Sequence, residues 1–154
     1  MPEPVVAYIA LGANLGDAAS TVRKAMDSIH ALPGTQVVQR SALYLTTPID
    51  SDGPDYVNAV VEVLTTLCPP HLLEQLQNLE QSAGRKRPYR NAPRTLDLDI
   101  VLFGSGRIDS PALTIPHPRM QERAFVLRPL AEIAPARVTP KQLRAVRDQQ
   151  TEKL

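Results

Sequence analysis

Leu96-Asp97-Leu98-Asp99-Ile100-Val101-Leu102-Phe103 alternates apolar and acidic side chains through its first five residues. A period of two is the repeat of an extended chain, whose successive side chains point to opposite faces, so the stretch reads as a strand. Leu96, Leu98, Ile100 and Leu102 are expected to pack one face. Asp97 and Asp99 project together from the other, about 7 Å apart at their Cα atoms from the rise of a strand.

Working outward, this strand closes a series. Residues 5–11 form a β-branched-rich apolar run and read as a first, buried strand. Residues 12–16 turn the chain, and Asp17 suits a helix N-cap. Val22, Met26, Ile29 and Leu32 fall at helical spacing until Pro33-Gly34 stops them. Residues 37–45 read as a second strand, and residues 47–54, rich in Pro, Asp, Ser and Gly, as a loop. In residues 56–64, Val57, Ala59, Val61 and Val63 share one strand face, with Tyr56, Asn58 and Glu62 on the other. Pro69-Pro70 opens a helix striped by Leu72, Leu76 and Leu79, which Gly84 ends. Past residue 103 come a Gly-Ser-Gly turn and the stiff loop Pro116-His117-Pro118. A short helix within residues 120–133, broken at Pro129, and a last helix over 141–147 follow. The polar tail 148–153 is expected to fray. The order strand, helix, strand, strand, helix, strand is that of an α+β, ferredoxin-like sandwich: an antiparallel sheet with helices packed on its faces.

Bulk properties fit that reading. A chain of 154 residues, 43% apolar, suits one domain spanning 1–154, with its core over about 5–135. Two Phe, four Tyr and no Trp leave the core to Val, Leu, Ile and Ala. The net charge of +1 is no general coat for a polyanion, so any basic function has to come from local clustering. The single cysteine, Cys68, excludes an intrachain disulfide and a cysteine-built zinc site, and it reads as a small buried apolar residue in a reducing compartment. There is no signal-peptide pattern and no apolar run of membrane-spanning length, so a cytoplasmic location is expected.

The chemistry concentrates around the acidic pair. Two carboxylates on one strand face repel unless a cation lies between them, and hard, oxygen-seeking Mg2+ is the usual choice beside phosphates. A solvated antiparallel strand accounts for the same pattern. The preceding segment tips the balance: Arg85, Lys86, Arg87, Arg90 and Arg94 fall within ten residues without an acid. Guanidinium groups offer forked donors for phosphate oxygens, so a cationic loop joined to paired acids suits a metal-bound polyphosphate. A solvated or nucleic-acid-binding basic loop is the alternative. Gly12-Ala13-Asn14-Leu15-Gly16 lacks the Lys and Ser/Thr of a P-loop. His117 and Arg123 are candidate phosphate donors. Tyr56 beside Asn58 could read the edge of a flat heterocycle, and Phe125 could stack on it. Gln77 and Glu80 share a helix face. For Tyr56 with Asn58 an ordinary sheet surface explains the residue types equally well; for His117 an exposed loop position, for Gln77 with Glu80 a solvated helix face, and for Phe125 core packing is the default reading.

Several stretches together resemble the 6-hydroxymethyl-7,8-dihydropterin pyrophosphokinase family. Arg90-Asn91-Ala92-Pro93-Arg94-Thr95-Leu96-Asp97-Leu98-Asp99-Ile100-Val101 is similar to its long signature. Tyr8-Ile9-Ala10-Leu11-Gly12-Ala13-Asn14-Leu15-Gly16, Pro54-Asp55-Tyr56-Val57-Asn58-Ala59 and Leu113-Thr114-Ile115-Pro116-His117-Pro118 follow the same family's order. The resemblance implies transfer of pyrophosphate from ATP to 6-hydroxymethyl-7,8-dihydropterin, giving the pterin diphosphate and AMP. It implies Asp97 and Asp99 as ligands of two Mg2+ ions. It implies Thr46, Thr47, Ile49, Tyr56, Asn58 and Phe125 as pterin-binding. Gln77, Glu80, Arg85, Arg87, Arg94, Thr114, His117 and Arg123 would handle ATP, with Arg85 and Arg94 clamping it during transfer. A ferredoxin-like monomer is implied, with no nucleic-acid or membrane partner. Asn91 stands where some members carry Trp, Ala112 where an Arg can occur, and Pro118 where an aromatic residue can stand.

Overall fold

A computed structural model of the chain describes residues 3–14, 16–46, 55–83 and 96–154. β1 (Val5–Ala13) runs through the middle of the molecule and leads into α1 (Ala18–His30). Asp17 caps α1 as expected, its carboxylate accepting the Ser20 N–H at 3.1 Å. β2 (Thr35–Arg40) and β3 (Tyr44–Thr46) come next, then the long β4 (Tyr56–Thr65) and α2 (Pro69–Ser82). β5 (Asp97–Phe103) carries the acidic pair. A small hairpin of β6 (Ile108–Asp109) and β7 (Thr114–Ile115), a 3-10 turn (Met120–Glu122) and α3 (Ala124–Ile133) follow. A second 3-10 turn (Pro135–Arg137), α4 (Pro140–Ala145) and β8 (Thr151–Lys153) end the chain.

The main sheet is antiparallel, in the order β5-β1-β4-β3-β8, with β2 also on β4. β2 and β3 flank β4 in succession, so the four strands read from sequence take the expected places. α1 and α2 cover one face through Val22, Met26, Ile29, Leu72 and Leu76, packed on Ile9, Leu11, Val61 and Ile100. α3 covers the other through Leu127 and Leu130, packed on Tyr8, Val60 and Val101. β4 is therefore buried on both faces, which its run of Val and Ala permits.

Five expectations need correction. The strand expected at 37–45 is two strands: Ser41 breaks it, its N–H donating to the Val60 carbonyl and its hydroxyl accepting the Val60 N–H, both at 2.9 Å. Pro129 does not break α3. Burying Leu127 and Leu130 stabilises by about 1.5–3 kcal/mol each, which outweighs the roughly 3 kcal/mol of a helical proline. Leu102 joins Tyr8 and Val101 on the α3 face, because a register shift between Tyr8 and Ile9 bulges β5 and reverses its alternation. The tail does not fray, since β8 pairs with β3 and the Leu154 N–H donates to the Leu43 carbonyl at 2.8 Å. Cys68 is exposed, at the start of α2. Among the described residues no helix is long and apolar enough to cross a membrane.

Candidate functional site

Register builds the floor of the site. Asn58 of β4, Gly12 of β1 and Asp97 of β5 lie in one row across three neighbouring strands, and Val60, Ala10 and Asp99 form the next row. Asp97, Asp99 and Asn58 thus open on the same face, the one covered further along by α3. A cavity of about 580 Å³ stands over this floor, within the range of small-molecule sites. Gly12 permits a close approach: a Cβ there would lie 2.8 Å from Asn58 Oδ1. The Asn58 amide therefore lies over bare backbone, where its Nδ2 donates to Thr46 Oγ1 at 2.7 Å. Thr46 and Asn58 are both buried, and Tyr56 completes that wall.

The opposite wall comes from the Pro116–Pro118 loop, the 3-10 turn and the start of α3. The His117 N–H donates to the Val101 carbonyl at 2.9 Å, pinning the loop to β5. His117 Nδ1 accepts the Arg119 N–H at 3.2 Å, which leaves Nε2 as the protonated nitrogen of the neutral ring. Burial holds the His117 pKa below its ordinary value; nearby Asp99 opposes this, while Arg123 and Arg119 add to it. The Arg123 guanidinium sits 5.4 Å from the centre of the Phe125 ring, a cation–π contact at the cavity edge.

The structure brings Thr46, Tyr56, Asn58, Asp97, Asp99, His117, Arg123 and Phe125 around one cavity. Gln77 is exposed on α2 and Thr114 sits in β7 opposite Asp109; neither lines the cavity. Glu80 lies behind the floor, buried, with Oε2 accepting the Leu98 N–H at 3.0 Å. It thereby holds the backbone between the two acids. Thr47, Ile49, Arg85, Arg87 and Arg94 fall outside the described residues. Gly12, Arg119 and Gln149 line the cavity but were not singled out. Arg119 had a signal, a third charged position between His117 and Arg123. Gln149 had none, since nothing local marks a residue brought in by tail pairing.

The donor set fits a hard divalent cation. Two carboxylates on adjacent rows offer oxygen only, and among the described residues no group of three or more His, Cys, Asp or Glu gathers into a metal cage. An ion held by Asp97 and Asp99 would draw its remaining ligands from water and phosphate oxygens, the habit of Mg2+ beside nucleotides.

Comparison with known proteins bears on the chain as a whole. Residues 8–135 match the family described as 7,8-dihydro-6-hydroxymethylpterin-pyrophosphokinase, HPPK. The chain is 47% identical over 129 residues to the 2-amino-4-hydroxy-6-hydroxymethyldihydropteridine pyrophosphokinase of Pseudomonas aeruginosa, covering 83% of this chain and 80% of that one. It is 46% identical over 129 residues to the Bacillus subtilis protein of the same name, covering 83% and 77%. Among solved structures, a wild-type Plasmodium falciparum HPPK-DHPS chain superimposes with a TM-score of 0.68 at 14% identity. That match covers 88% of this chain and 40% of the other, and it attests the fold alone. By its sequence match over most of its length, this chain belongs to the 7,8-dihydro-6-hydroxymethylpterin-pyrophosphokinase family.

Proposed function

We propose that this protein transfers pyrophosphate from ATP to 6-hydroxymethyl-7,8-dihydropterin, producing the pterin diphosphate and AMP for folate biosynthesis. The observation that carries the reading is the single row Asn58–Gly12–Asp97. It sets an amide suited to a flat heterocycle two strands from a carboxylate suited to a metal-bound phosphate. One cavity then holds both substrates with their reacting groups adjacent.

In this reading the pterin lies among Thr46, Tyr56, Asn58 and Phe125. The amide and hydroxyl pair up with its polar edge, and the aromatic rings cover its faces. Thr47 and Ile49 extend that pocket. The hydroxymethyl oxygen bonds to the β-phosphorus, the bond from that phosphorus to the α-phosphate oxygen breaks, AMP leaves with the electron pair on that oxygen, and the hydroxyl proton passes to solvent water. Two Mg2+ ions held by Asp97 and Asp99 supply neutralisation of the phosphate charge when bound. His117 donates through Nε2–H, and Arg123 places a fixed charge beside the phosphates. Arg85, Arg87 and Arg94 grip the polyphosphate from the basic segment. Gln77 and Thr114 extend the nucleotide contacts, and Glu80 fixes the strand that bears the acids. Such transfers ask the protein mainly for positioning and charge, which these residues provide. The working unit is a monomer in the cytoplasm.

The test is AMP release. The protein with ATP, Mg2+ and 6-hydroxymethyl-7,8-dihydropterin is expected to form AMP and the pterin diphosphate in equal amounts. ADP as the nucleotide product, or AMP formed at the same rate without the pterin, overturns the assignment.

A further inference from the structure

The cavity is completed by a segment beyond the family match, which ends at residue 135. α3 carries Phe125 in its first turn and is preceded by the N-cap Arg123, whose side chain makes no capping bond. A helix start leaves its first N–H groups without intrahelical partners. Here Gln149 supplies the missing partner: its Oε1 accepts the Ala124 N–H at 2.9 Å, and its Nε2 donates to the Glu122 carbonyl at 2.7 Å. The two bonds straddle Arg123, and the same Gln149 lines the cavity.

The segment is itself fixed at both ends. Val146 is buried in the α3 core, and the Gln149 N–H donates to its carbonyl at 3.0 Å. Two residues past Gln149, Thr151 stands in register with Thr46, the hydroxyl partner of Asn58. Arg128 of α3 donates to Thr151 Oγ1 at 2.6 Å. A stretch of a few residues therefore touches both walls of the cavity, one through Gln149 and one through β8.

We propose that Gln149 is a positioning residue: its amide clamps the turn bearing Arg123 and Phe125, and with β8 it sets the spacing between the two cavity walls. The inference rests on the proposed activity, since it concerns how that site holds its substrates. Gln149→Leu keeps the bulk and removes both hydrogen bonds. Gln149→Glu keeps the acceptor for Ala124 and loses the donor to Glu122.

The experiment combines steady-state kinetics, thermal unfolding and NMR amide exchange at Ala124, all on the full chain. Gln149→Leu is expected to raise the pterin KM at least fivefold at a temperature well below its unfolding transition. Ala124 exchange should accelerate at least tenfold, and Gln149→Glu should recover part of both effects. An unchanged KM for both substrates in a folded Gln149→Leu protein overturns the proposal, as does unchanged Ala124 exchange. If the wild-type protein forms no AMP, the activity assignment fails, the positioning role falls with it, and the exchange data alone report whether the clamp exists.

Discussion

Gly12→Ala is the substitution in which the structure separates function from stability most clearly. The added Cβ would sit 2.8 Å from Asn58 Oδ1, against about 3.3 Å for a comfortable carbon–oxygen contact. The backbone of β1 is held on both sides by β4 and β5, so the Asn58 side chain is what gives way. Swinging its amide aside breaks the 2.7 Å bond to Thr46, a loss of about 0.5–1.5 kcal/mol. Restricting the unfolded chain returns about 0.4–1 kcal/mol. The net stability change is then within about 1 kcal/mol, or about 2–4 °C in Tm for a chain of this size. Pterin binding loses more. With the amide misplaced, one or two hydrogen bonds go unmade and the methyl group intrudes on the floor, costing about 1.5–3 kcal/mol, or roughly 10- to 150-fold in Kd. Fluorescence titration with 6-hydroxymethylpterin and a thermal scan on the same preparation measure both quantities. Wild-type pterin affinity in the folded variant would refute the reasoning, because Asn58 would then not need the bare backbone beneath it.

Two further outcomes follow from neighbouring groups. Glu80→Ala leaves the buried Leu98 N–H without its acceptor and is expected to lower stability by about 1–3 kcal/mol; a denaturant midpoint equal to wild type would contradict this. His117 is held below its ordinary pKa by burial, so the unfolded chain binds more protons than the native one as pH falls past about 6.5. Native stability should therefore decline with falling pH in that range, in metal-free buffer, and Tm against pH should be flatter in His117→Gln; identical slopes would contradict the assignment.

Much of the fold was legible because it is written in local periodicity. The strands at β1, β4 and β5, the Asp17 cap of α1 and the apolar stripes of α1 and α2 each follow from spacing within a dozen residues, while the Gly84 stop read for α2 lies outside the described residues. What escaped depends on partners far along the chain. Ser41 interrupts the β2–β3 edge because Val60 reaches its hydroxyl, a contact across 19 positions. The bulge that turns Leu102 to the α3 side is a property of the β1–β5 pairing, invisible in either strand alone. The tail looked unstructured because Thr151–Lys153 has no apolar face, yet an open edge at β3 gives it a ladder to join. The site shows the same division. Asp97 and Asp99 in β5, and Tyr56 and Asn58 in β4, each share a face by alternation within their own strand. Glu80 looked like surface on its helix, and only the approach of the Leu98 backbone makes it structural. Gln149 lies in the cavity by tertiary docking.

The central claim is that the paired carboxylates of β5 serve the phosphate transfer rather than the fold. It is tested most directly by AMP formation in Asp99→Asn, measured with saturating ATP, Mg2+ and pterin beside a thermal scan. Turnover reduced at least a thousandfold with Tm within a few degrees of wild type is the expected result. Near-normal turnover in the folded variant would contradict the account.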